Sequence, residues 1–138
     1  MPVNGFAVLI ASVLQFIFGA IWYTPIFGKA WGKIHGFDAY SKDEQARMMK
    51  DMWRPLLGQF LVTILTTSVL ALFKAQFPGT WHAFGIAGFA WLGFVLPTQI
   101  SAVLFGGTRP GMVLKKIAIM AGGSLGCLMI AAAVLELM

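Results

Sequence analysis

Four stretches of this chain, residues 5–24, 56–73, 83–105 and 117–135, contain no Asp, Glu, Lys or Arg. Each is long enough to cross about 30 Å of hydrocarbon at about 1.5 Å of rise per residue. Backbone polar groups inside a bilayer must be satisfied within the spanning structure, so helices and closed barrels are the available solutions. Barrel strands would alternate apolar and polar residues over ~10-residue segments, and the continuous apolar runs here do not. The sequence therefore predicts an all-α membrane protein: a single domain over residues 1–138 with four transmembrane helices. The composition agrees, because 59% hydrophobic against 11% charged residues leaves more apolar surface than a soluble globule can hide.

The charges fall between the runs. Nine of the ten basic residues lie after helix one (Lys29, Lys33, Lys42, Arg47, Lys50, Arg54) and after helix three (Arg109, Lys115, Lys116), leaving Lys74 between helices two and three. The positive-inside rule then puts both basic loops in the cytoplasm and both termini outside, so the formal +5 serves orientation and no nucleic-acid partner is expected. The first run is read as a retained helix, since no basic residue precedes it and it leads into Trp22-Tyr23-Thr24-Pro25 without a small-x-small cleavage site. In the loop 29–54, Ser41-Lys42-Asp43-Glu44 has the pattern of a capping box, and Asp43 and Arg47 form a favourable i,i+4 pair. Met49, Met52 and Trp53 gather on one face with Arg47, Lys50, Asp51 and Arg54 on the other, predicting a short amphipathic interfacial helix that Pro55 separates from helix two. Trp22, Tyr23, Phe27, Trp31 and Trp53 form an aromatic belt at that interface, with Trp81 at the opposite one.

Inside the spans lies no Asp, Glu, Lys, Arg or His, and proton relays, ion-coupled transport and voltage sensing normally need such a group. Neutral polar residues occur in stripes instead: Ser12, Gln15, Gly19 and Tyr23 on helix one, Gln59, Thr63, Thr66 and Thr67 on helix two, Thr98, Gln99 and Ser101 on helix three. An amide facing lipid leaves donors and acceptors unpaired, so the stripes are expected to face other helices. Ala118, Gly122 and Gly126 give helix four a small-xxx-small stripe suited to close helix packing, within the fold or in a homodimer, and Gly19 belongs to the same packing class. Pro97 and Gly93 predict a kink in helix three, near a midplane Trp91 whose indole N–H wants an acceptor. Cys127, the one cysteine, is expected to be an inert small residue in the middle of helix four.

Catalytic patterns are sparse. His35 and His82 belong to opposite membrane sides and cannot share a metal or a triad. The loop Gly106-Gly107-Thr108-Arg109-Pro110-Gly111 lacks the Gly-Lys-Ser/Thr ending of a phosphate loop and reads as a tight hairpin turn. No catalytic, metal or cofactor site is assigned.

The residues also carry a resemblance. Asn4 leading into Ala7-Val8-Leu9, then Gly19-Ala20-x-Trp22-Tyr23-Thr24-Pro25-x-Phe27-Gly28-Lys29-Ala30-Trp31, and later Trp91-Leu92-Gly93-Phe94-Val95-Leu96-Pro97-Thr98, resemble the small bacterial membrane proteins grouped as domain of unknown function 1761. The resemblance spans almost the whole chain and implies a multi-pass protein of the bacterial cytoplasmic membrane, with Trp22, Tyr23, Pro25 and Trp31 as its interface motif. It implies no activity.

The expected function is non-enzymatic: a protein acting through helix packing, as a homo-oligomer or as an accessory subunit of a membrane complex, with lipids as its other partners. The alternative is a passive transporter or channel-like protein for an uncharged solute, with Gln15, Gln59, Thr63, Trp91 and Gln99 around the Pro97 kink as its path. A small membrane enzyme using His35 or a loop carboxylate is the third reading.

Overall fold

The structure, a computed structural model, describes residues 3–138. Among them it is all helical, with four helices long and apolar enough to cross a membrane. These are α1 (Gly5–Ile26), α4 (Trp53–Gln76), α5 (Ala83–Phe105) and α6 (Val113–Leu137), with two shorter helices, α2 (Gly28–Ile34) and α3 (Lys42–Lys50), between α1 and α4. Asn4 starts α1 by accepting from the Phe6 and Ala7 amides at 3.1 and 3.2 Å, which satisfies two otherwise orphaned donors. The long helices run up and down with sequential neighbours adjacent, and α6 closes the ring between α5 and α1. One end of the bundle carries the termini and the turn from α4 to α5; the other carries the basic loops.

The packed core lies toward the terminal end. Ala11, Ala83, Ala87, Ala131 and Ala132 are fully enclosed among Val8, Leu70, Ile86, Leu128 and Leu135. Small side chains there let the backbones approach closely, which in an apolar medium is the main source of helix attraction. The same end is pinned electrostatically. The Lys74 ammonium at the end of α4 donates to the Leu135 carbonyl and lies 3.6 Å from Glu136, and Glu136 accepts from the Ala83 amide at the start of α5. A cation thus meets the carbonyl end of one helix and a carboxylate the amide end of another, the favourable pairing at each macrodipole.

Pro25 and Pro97, the prolines beyond the first turn of a long helix, each accompany a local π turn. Pro97 has no N–H and its ring crowds the carbonyl four residues back, and the backbone answers by widening over Trp91–Val95, with the Leu96 amide reaching Trp91 O. The kink expected in α5 is therefore a π turn. Pro25 does the same over Trp22–Ile26, where the Phe27 amide reaches Trp22 O at 3.0 Å. The sequence reading had not anticipated this second turn.

Two boundaries differ from expectation. The capping box at Ser41 and Glu44 forms in both directions, at 3.3 and 3.2 Å, but α3 stops at Lys50. Trp53 and Arg54 belong instead to α4, because a turn at Asp51–Met52 separates the helices and Pro55 sits in the first turn of α4, where its missing N–H would have been unpaired anyway. Helix α6 starts before residue 117, so Lys115 and Lys116 lie in its first turn.

Candidate functional site

Helix α6 is the axis on which the predicted residues converge, and its glycines make that contact. A Cβ on Gly122 would lie 2.7 Å from Trp22 Cζ2, and one on Gly126 would lie 2.4 Å from Phe18 Cζ. On Gly123 it would meet the Tyr23 hydroxyl at 3.0 Å and the Trp22 indole at 3.1 Å. The glycine groove of α6 is therefore filled by aromatic rings of α1 from the same chain. Phe18, Trp22 and Phe27 pack in series, with centroids 5.6 and 4.6 Å apart. Two members of the expected packing set do not take part. A Cβ on Gly19 would meet nothing within 4 Å, and Ala118 is exposed. The reason is geometric: the α1–α6 contact runs along large rings lodged over glycines, so the small residue of α1 has no close partner.

Both π-turn tryptophans are hydrogen-bonded to α6. Trp22 Nε1 donates to Ile119 O at 2.9 Å, so this residue of the expected aromatic belt also ties α1 to α6. Trp91 Nε1 donates to Ala121 O at 3.2 Å and to Ser124 Oγ at 3.0 Å, and Ser124 Oγ donates on to Gln99 Oε1 at 3.0 Å. Each widened turn thus presents an indole to nearly the same level of α6. Neither Ser124 nor the carbonyls were foreseen as partners; the cue in the sequence was a tryptophan six or fewer residues before an intrahelical proline.

A separate polar ladder joins α1 to α4. Gln15 Nε2 donates to Thr67 Oγ1 at 2.7 Å and to Ala11 O at 3.1 Å, Thr67 donates to Thr63 O, and Thr63 donates to Gln59 O. Ser12, Gln15, Thr63 and Thr67 are buried, whereas Gln59 is exposed and contacts Thr63 Oγ1 only at 3.5 Å. The structure therefore brings Gln15, Gln59 and Thr63 together in one network and Trp91 and Gln99 in another, on different faces of the bundle. Pro97 itself is exposed. The hydroxyls of Thr66 and Thr98 turn back to Val62 O and Phe94 O, which lets both residues occupy exposed positions without an orphaned donor.

At the basic end, Trp31 connects the loops. Tyr23 packs edge-on against it at 4.8 Å, the His35 ring lies at 4.3 Å, and Lys116 sits 5.9 Å from the ring centroid. Pro25 provides the turn that directs α2 away from α1 toward these contacts. Among the described residues no group of His, Cys, Asp and Glu could hold a metal ion.

Fold and contacts define the class: an all-helical bundle with four helices long and apolar enough to span a membrane, tied together by a few indole, amide and hydroxyl hydrogen bonds between helices. Over residues 6–136 the chain matches the family described as "Protein of unknown function (DUF1761)", and it belongs to that family. No curated protein and no solved structure matches it.

Proposed function

We propose that this chain is a non-enzymatic protein of the bacterial cytoplasmic membrane that acts through helix packing, as a homo-oligomer or as an accessory subunit of a membrane complex. Its basic loops face the cytoplasm, its termini face outside and α3 lies along the interface. The observation that carries this reading is how unevenly α5 is buried: Ala83, Ile86 and Ala87 are enclosed at its start, but from Gly88 to Phe105 Val103 alone is buried. Yet α5 bears the features that favour helix association, with Gly93, Pro97, Thr98 and Ser101 all exposed. A membrane helix with that composition and so little burial is suited to receive another helix.

The polar ladder Gln59–Thr63–Thr67–Gln15 is the observation favouring passage of an uncharged solute. Its hydroxyls are spent on carbonyls of their own helix, which supports a packing role over a wet path.

The test is native mass spectrometry of the protein extracted with its surrounding lipid, compared with Gly93→Leu. A Cβ at Gly93 meets nothing within 4 Å, so the new side chain is set on the outward face of α5. Loss of the assembled species is expected; assembly identical to wild type refutes α5 as the contact helix.

A further inference from the structure

At the basic end, the tail of α2 and the loop after α5 border an open pocket of about 500 Å³ that the packing reading does not use. Ile34, His35, Gly36, Asp38, Gly107 and Arg109 line it. Gly36 and Gly107 adopt φ of 71° and 74°, and a Cβ on either would meet open space, so the two turns form a wall that glycine keeps low.

The charged groups in it are of both signs, and Arg109 is held in place. Arg109 Nη2 donates to Lys33 O at 3.0 Å, which caps the carbonyl end of α2 and fixes the guanidinium while leaving its other N–H groups free for an acceptor. On the other side, His35 Nδ1 lies 2.9 Å from Trp31 O. A carbonyl only accepts, so the neutral ring carries its proton on Nδ1 and offers Nε2 as an acceptor. Asp38 adds an exposed carboxylate.

A guanidinium donor for an anion and acceptors for an N–H cation thus line one open depression beside Trp31 and Lys116. We propose that this pocket binds a phosphoethanolamine group, with its phosphodiester on Arg109 and its ammonium on Asp38 and His35. A bilayer headgroup and a soluble phosphoethanolamine share this chemistry. The proposal does not depend on how the chain assembles.

The experiment is native mass spectrometry of the full chain from nanodiscs holding equal amounts of phosphatidylethanolamine, phosphatidylglycerol and phosphatidylcholine, counting the lipid retained per chain. Phosphatidylethanolamine should be retained preferentially, because a trimethylammonium has no N–H to donate and a glycerol headgroup has no cation. Arg109→Ala should lower retention of phosphatidylethanolamine and phosphatidylglycerol alike, by roughly tenfold for the lost charge-assisted hydrogen bonds, and Arg109→Lys should restore part of it. Asp38→Asn should remove the preference for phosphatidylethanolamine and leave phosphatidylglycerol unchanged. Competition by glycerophosphoethanolamine would identify a soluble ligand; its failure to compete would identify the intact lipid. Equal retention of the three lipids overturns the proposal, as does full preference in Asp38→Asn. The Asp38 variant alters an exposed side chain, so it decides the matter even if Arg109→Ala disturbs the loop.

Discussion

Gly122→Ala puts the smallest side chain into a close contact between α1 and α6. The new Cβ would sit 2.7 Å from Trp22 Cζ2 and 3.2 Å from Cη2, whereas carbon atoms rest at about 3.5 to 4.0 Å. The indole has to retreat by about 1 Å. It is not free to do so, since its Nε1 is bound to Ile119 O at 2.9 Å and its ring is stacked on Phe18 and packed at a tilt against Phe27. A retreat of that size breaks the hydrogen bond. Overpacking costs about 1 to 3 kcal/mol and the lost bond about 1 kcal/mol, while replacing glycine by alanine within a helix returns up to about 1 kcal/mol. The net expectation is a loss of about 1 to 3 kcal/mol. Equilibrium unfolding in mixed micelles, followed by circular dichroism, measures it, with Gly58→Ala as the control because a Cβ there meets nothing within 4 Å. The same Gly122 change made in a Trp22→Leu background should cost at least about 1 kcal/mol less, since the obstructing ring is gone. The reasoning is refuted if Gly122→Ala is as stable as Gly58→Ala, or if its cost is the same with and without Trp22.

Further outcomes follow from the other contacts. Thr67→Val removes the acceptor of Gln15 and should cost about 0.6 to 2 kcal/mol in the same unfolding assay, with Gln15→Leu adding little once Thr67 is changed. Trp91→Phe should destabilise more than Ser124→Ala, because the indole keeps Ala121 O when the serine hydroxyl is lost; the order of unfolding midpoints checks it. Glu136→Gln should weaken the terminal end, where the carboxylate serves both Lys74 and the Ala83 amide, and the difference from wild type should shrink in high salt; hydrogen exchange at the start of α5 reads it.

The charge-free runs by themselves determined that the chain is helical, how many helices could span a membrane, and which end of the bundle is basic, because length and missing charge suffice for that inference in a medium that cannot hydrate a backbone. The same letters carried the family resemblance through Trp22-Tyr23-Thr24-Pro25 and Trp91-Leu92-Gly93-Phe94. Pro97 announced a distortion, and the Gly122 and Gly126 spacing announced close packing. What fills that groove was decided only in three dimensions: Phe18 and Trp22 lodge there, while Gly19 and Ala118, equally small and equally well spaced, have no close partner. The Trp22 indole bound to a carbonyl 97 residues away, and the separation of Gln15 and Thr67 from Trp91 and Gln99, were likewise invisible along the chain. The physical reason is that lipid and helix interiors are equally apolar. In water, the hydrophobic period of a helix marks the face that will be buried; in a bilayer every face is apolar, and partners are selected by shape and by a few hydrogen bonds that exist only once the helices meet.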